Sequence, residues 1–231
     1  MTFIALSTYS HAQFRIQGAT EFGHSNVSEG VYLRSFVKGT YTVNQFTFQS
    51  AIQNELISYN TSFVSGINAA VNYQFNFKSH SLEAKLFFLQ NVLSNYVRES
   101  NYATMLSTDK HKFNATVGLG FKNIGFTKYA RNQLSINSNN SISENFNLLY
   151  NLNYSLLKQN IDWKLKLGIS NIDQFTVNQA TNPMLFANAA YTISDKLELT
   201  TDICYKTAGA FNLHVNYFGF YIRPGIIWKI N

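Results

Sequence analysis

Apolar and polar residues alternate along this chain in runs of roughly ten, and a period of two predicts β-strands, whose successive side chains point to opposite faces. In the clearest run Ile67, Ala69, Val71, Tyr73, Phe75 and Phe77 alternate with Asn68, Ala70, Asn72, Gln74 and Asn76. Nearer the start, Phe14, Ile16, Gly18, Thr20 and Phe22 oppose Arg15, Gln17, Ala19 and Glu21, and Val31, Leu33, Val37, Tyr41 and Val43 oppose Tyr32, Arg34, Phe36 and Lys38. The same grammar predicts strands over 46–57, 82–91, 112–121, 124–131, 146–157, 161–170, 185–193, 197–206 and 217–230, which makes twelve, within a range of ten to fourteen. Lys128 conflicts with its run, because alternation sets it on the apolar row. A bulge, or a position beyond the apolar band, would remove the conflict.

The connections carry a second pattern. Short links fall at Asn44-Gln45, Ser79-His80-Ser81, Lys122-Asn123, Lys158-Gln159-Asn160 and Ser194-Asp195-Lys196, and between them lie longer polar links that include 95–110, 132–143 and 173–183. Five short turns interleaved with six longer loops is what an up-and-down sheet requires when both chain ends lie on the short-turn side.

Composition decides where such a sheet can live. Charged residues are 13% of the chain, against about 25% in a soluble domain, while aromatics reach 16%. No run approaches the roughly 20 consecutive apolar residues of a membrane helix, and the mean hydropathy is slightly negative. Hydrocarbon offers backbone groups no partner, so the remaining structure able to span a bilayer is a closed barrel with one row of each strand facing lipid. A soluble sandwich or lipocalin-like barrel would also alternate, but its outer row should be charged. The expectation is an all-β chain, a transmembrane antiparallel up-and-down β-barrel of about twelve strands, located in the outer membrane of a Gram-negative envelope with the lipid bilayer as its first partner.

Residues 13–231 form that barrel in this reading, and residues 1–12 precede it. The apolar patch from Phe3 to Leu6, followed by Ser10, His11 and Ala12, resembles the tail of a secretory signal peptide cleaved before Gln13. Trp163 beside a short turn and Trp228 near the C-terminus suit membrane-interface anchors at the short-turn edge. The single cysteine, Cys204, excludes an internal disulfide. In the ending GFYIRPGIIWKIN, Ile226, Trp228 and Ile230 share a row, as in the C-terminal recognition strand of outer-membrane barrels. Pro224 lacks an N–H and fits a bulge or a locally unpaired position.

Together, the Asn-, Ser-, Tyr- and Phe-rich strands, the signal-like tail at Ala12-Gln13 and the terminal strand resemble the small porin-like outer-membrane barrels of Bacteroidota. The resemblance is compositional and architectural, covers nearly the whole chain, and implies a location without an activity. By strand number and basic character the chain is also similar to the twelve-stranded porins for acidic oligosaccharides, with which it shares no motif.

Enzymatic chemistry finds little support. A twelve-stranded outer-membrane phospholipase needs a Ser nucleophile and a His base within hydrogen-bond reach on the outer wall. His24, Ser25 and Asn26 are adjacent in sequence and do not readily face one another, and His214 has no Ser-containing motif beside it. No catalytic residue, metal site or cofactor is assigned: zinc and calcium spacings and phosphate-binding glycine loops are missing from the sequence. The basic residues behind a pI near 9.3 are scattered along the strands, which argues against nucleic acid. Gly118 and Gly120 fall on one inner row, where they relieve crowding.

The lumen says more. Alternation places Arg15, Arg34, Lys38, Lys85, Lys112, Lys164, Lys166, Lys206, Arg223 and Lys229 inside, against Glu21, Glu55, Glu83, Asp162, Glu198 and Asp202, ten basic groups to six acidic. Rings of basic side chains select anions, so the expected function is a passive, anion-favouring pore for small solutes. A lumen closed by cross-barrel ion pairs is the competing reading, because barrels of about eight strands are filled and channels are clear only at about 16 to 18. It would suit a non-conducting accessory subunit of an outer-membrane secretion or uptake assembly. A lipid-modifying enzyme is the third alternative.

Overall fold

The computed structural model describes residues 12–25, 31–57, 64–77, 80–92, 96–134, 141–156, 162–172, 183–206 and 219–230. The described residues form a closed barrel of twelve strands in chain order. The strands are β1 (Ala12–Ser25), β2 (Val31–Val43), β3 (Phe46–Ile57), β4 (Gly66–Asn76), β5 (Ser81–Val92), β6 (Val97–Lys110), β7 (Phe113–Phe126), β8 (Ser141–Ser155), β9 (Trp163–Ser170), β10 (Met184–Ser194), β11 (Leu197–Lys206) and β12 (Gly219–Ile230). A short helix, α1 (Lys128–Leu134), lies between β7 and β8. Closure comes from β12 pairing antiparallel with β1, Phe14 opposite Ile230 and Ser25 opposite Gly219, so no strand edge is left open.

Alternation sorts the two faces. Val37, Ile67, Leu86, Val117, Leu148, Ile203 and Ile226 stand exposed on the outside, while Gln17, Asn68, Asn101 and Arg223 are buried within. An apolar exterior around a polar interior is a stable arrangement in hydrocarbon and a liability in water.

All five short connections gather at the end where β1 begins and β12 finishes, hereafter the turn end. In bacterial outer-membrane barrels the short turns face the periplasm and the longer loops face outward. The turns at 44–45 and 195–196 match the sequence pattern. Lys158-Gln159-Asn160 and Ser79 lie outside the described residues, as do residues 1–11, Asn231 and most of 173–183.

Two expectations require correction. The link expected over 95–110 contains β6, whose outer row carries Arg98, Ser100, Thr104, Thr108 and Lys110 beside only Tyr102 and Leu106, so its alternation is faint. Conversely, Lys122-Asn123 is no turn: it lies inside the unbroken β7, and the actual turn is His111-Lys112. The second run, 124–131, is the end of β7 followed by α1, which frees Lys128 from the apolar row. One strand missed and one split leave the count at twelve. At this level the neighbouring strand carries a bulge, since Gly120 pairs with Asn147 and Lys122 with Glu144, giving β8 one extra residue.

Candidate functional site: the barrel interior

The inward rows change character along the axis. Toward the loop end Tyr32, Glu21, Leu89, Glu99, Met184, Cys204 and Tyr221 are buried. Toward the turn end, on the same rows, Arg15, Gln74, Asn76, Asp109, Lys164 and Lys166 are exposed. The interior is therefore a vestibule open at the turn end and packed toward the loop end.

Apolar side chains fill part of the packed half. Phe87, Leu89, Met105 and Leu149 form one cluster, and Tyr32, Met184, Cys204 and Tyr221 form another. Ile172 joins the first from the link that follows β9. The approach is held by Asn171, whose Nδ2 donates to the Leu148 carbonyl at 2.7 Å and whose Oδ1 accepts the Tyr150 N–H at 2.8 Å. That side chain extends the pairing of β8 where β9 has ended.

Beside these clusters runs a belt of charges. Asp202, Arg223, Glu21, Arg34 and Glu55 occupy consecutive strands, β11, β12, β1, β2 and β3, with alternating sign. Asp202 stands opposite Arg223, Glu21 opposite Arg34, and Arg34 opposite Glu55. The Arg223 guanidinium donates to Glu21 from Nε at 2.9 Å and Nη2 at 2.5 Å, and lies 3.7 Å from Asp202. Arg34 reaches Glu55 at 3.1 Å and Glu21 at 3.8 Å. Arg223 also packs against the rings of Tyr221 and Phe36, 4.6 and 4.9 Å from their centroids.

Glu21 and Arg223 are each 2% exposed, a burial that charges tolerate only when paired and hydrogen-bonded. The backbone supplies the opening for the pair. Because Pro224 has no N–H, the β1–β12 ladder passes from Ala19–Gly225 to Phe22–Ile222 without pairing Thr20 and Glu21. The Glu21–Arg223 ion pair spans the gap that the ladder leaves.

Nearer the turn end, Glu198 is held between Lys164 at 2.9 Å and Lys229 at 3.8 Å. An internal cavity of about 310 Å³ is bounded by Glu83, Lys85, Lys166, Asn188, Asp202 and Arg223 among others. Lys85 lies 5.7 Å from the Phe87 ring centroid and Lys206 lies 5.5 Å from that of Tyr221. Lys38 shares its row with buried Phe36, and Arg15, at the open mouth, donates from Nε to Gln13 at 3.0 Å.

Lys112 and Asp162 do not line the wall. Lys112 belongs to the β6–β7 turn, and its ammonium sits 5.7 Å from the centroid of Tyr154, a residue of the outer row that includes exposed Leu152. Asp162 precedes β9, exposed in the bend. Missed in their place were Glu99 and Asp109, on the inward row of unrecognised β6, and Lys122, on the inward row of β7. Among the described side chains, the interior rows then carry ten basic groups, with Lys122 replacing Lys112, and seven acidic, with Glu99 and Asp109 added and Asp162 removed.

Trp163 and Trp228 are both on the outer face near the turn end, about half exposed, with the Trp163 ring 4.9 Å from that of Tyr191. His24 is exposed on the outer row at the loop end, where its register neighbours are Val31 and Phe220, neither a nucleophile. Asn26 and His214 lie outside the described residues.

No protein-family model and no curated protein matches the sequence. Solved structures do match the fold. The NanC porin is similar at a TM-score of 0.56 and 13% identity, over 92% of this chain and all of that one. The KdgM porin in complex with disordered oligogalacturonate is similar at 0.53 and 11%, over 93% of this chain and 99% of that one. An active-site mutant of outer membrane phospholipase A from Escherichia coli reaches 0.50 at 8%, over 92% and 89%. The chain thus has the twelve-stranded fold of outer-membrane barrels, and that fold is shared by porins and an enzyme alike.

Proposed function

We propose that this protein is a passive outer-membrane pore for small solutes that favours anions. The reading rests on the open vestibule at the turn end, with Arg15, Lys164, Lys166 and Lys229 on its inward rows, and on the excess of basic over acidic groups among the described interior side chains. Fixed positive charge in a narrow, poorly solvated passage attracts anions. The fold likeness to the KdgM and NanC porins supports a pore, and the oligogalacturonate held by KdgM is a polyanion.

The test is reversal potential in a planar bilayer under a KCl gradient. Native protein should prefer chloride. Lys166 faces the cavity without an ion pair or hydrogen bond among the described residues, so Lys166→Glu should shift the potential toward potassium while leaving the ion pairs of Glu198 in place. Potassium preference in the native protein would contradict the selectivity. Complete absence of conductance would favour the second reading, a non-conducting subunit of a larger assembly, which draws on the burial of the loop-end interior.

A further inference from the structure

The outer wall is hollowed over β3 to β8. Tyr73, Ala84, Leu86, Leu106, Val117 and Leu148 border an apolar groove of about 650 Å³. Its depth follows from register. Ala84 lies between Tyr73 and Leu106 on adjoining strands, and Thr104 lies between Leu86 and Leu119, so small side chains are flanked by large ones.

Below the groove, toward the turn end, the outer row continues through Thr108 and Ala115 to the β6–β7 hairpin. There Lys110, His111 and Lys112 are exposed, beside the paired rings of Phe113 and Tyr154 at 4.8 Å. Asp109, the nearest acid in sequence, belongs to the inward row. Leu106 is four residues from Lys110, about 13 Å along the strand, which fits within the roughly 15 Å of hydrocarbon in one leaflet. Aromatic rings mark the membrane–water interface at the hairpin, and lysines there attract anionic headgroups.

We propose that this surface binds one anionic phospholipid of the periplasmic leaflet, its phosphate on Lys110 and Lys112 and an acyl chain in the groove. The turn-end position selects the periplasmic leaflet, and the basic hairpin selects negative charge. This site is outside the barrel and independent of conduction through it.

Native mass spectrometry of the full chain, released from vesicles of equal phosphatidylglycerol and phosphatidylcholine, tests the assignment. Phosphatidylglycerol should remain bound in preference to phosphatidylcholine. The double variant Lys110→Gln/Lys112→Gln, altered only at the exposed hairpin, should reduce that preference roughly tenfold or more. Ala84→Phe should fill the groove and lower retention of both lipids, with folding checked by the unheated gel shift. Equal retention of the two lipids by the native chain, no lipid retained, or unchanged phosphatidylglycerol binding in the hairpin variant would overturn the proposal.

Discussion

Arg223 shows how a single side chain ties wall to interior. It is almost wholly buried, lies within ion-pair distance of two carboxylates and packs against two rings, on the strand where Pro224 interrupts backbone pairing. Removing one partner of a buried pair costs about 3 to 5 kcal/mol, because the other charge stays desolvated. Glu21 keeps Arg34 at 3.8 Å, so Arg223→Gln should fall at the lower end, near 3 kcal/mol, in urea unfolding from liposomes. Glu21→Gln combined with Arg223→Gln should cost clearly less than the two single changes added together, as expected for groups in one network. Additive costs would mean that the two side chains do not depend on each other. None of this coupling is visible in the sequence, where Glu21 and Arg223 are 202 positions apart. Alternation assigns each to an inner row, and only closure of β12 on β1 makes them neighbours.

At the level of the strand, legibility follows the contrast between the two rows. β2, β3 and β11 are read to the residue because their rows differ sharply. β6 is lost because its outer row has only Tyr102 and Leu106 as large apolar residues, and its two ends carry Arg98 and Lys110 on that row. Such ends satisfy the headgroup region and read as loop. The same effect explains Lys112 and Asp162: alternation extrapolated past the last paired residue assigns a face that a turn does not keep. The mid-strand rule itself is open to test at Val37, exposed on the outer face next to inward Lys38. Val37→Lys should destabilise the barrel by roughly 2 to 4 kcal/mol if it lies near the bilayer midplane, although a lysine is native one position away. Val37→Leu should change little. Liposome refolding titrations measure both, and an equal, small cost for the two would refute the outer assignment of this row.

The described barrel is asymmetric along its axis, and under the proposed pore function that asymmetry predicts a block that depends on the side of addition. Inward cations at the turn end stand in an open vestibule, whereas the loop-end half is filled by Tyr221, Met184, Phe87 and the charge belt. A large polyanion, such as a sulfated dextran too wide for the packed half, can enter the vestibule and meet Arg15, Lys164 and Lys166 together. From the other side it meets the packed half first. Added in turn to the two sides of a single inserted channel, it should block at a concentration at least about tenfold lower from one side, a difference equivalent to roughly 1.4 kcal/mol of binding. Raising KCl from 0.1 to 1 M shortens the screening length from about 10 to about 3 Å, so the difference should shrink with salt. Lys164→Gln/Lys166→Gln should weaken block from the sensitive side and leave the other unchanged. Equal block from both sides at low salt would show that the cations are not gathered in a vestibule open at one end, and the charge excess would then have to act along the whole passage.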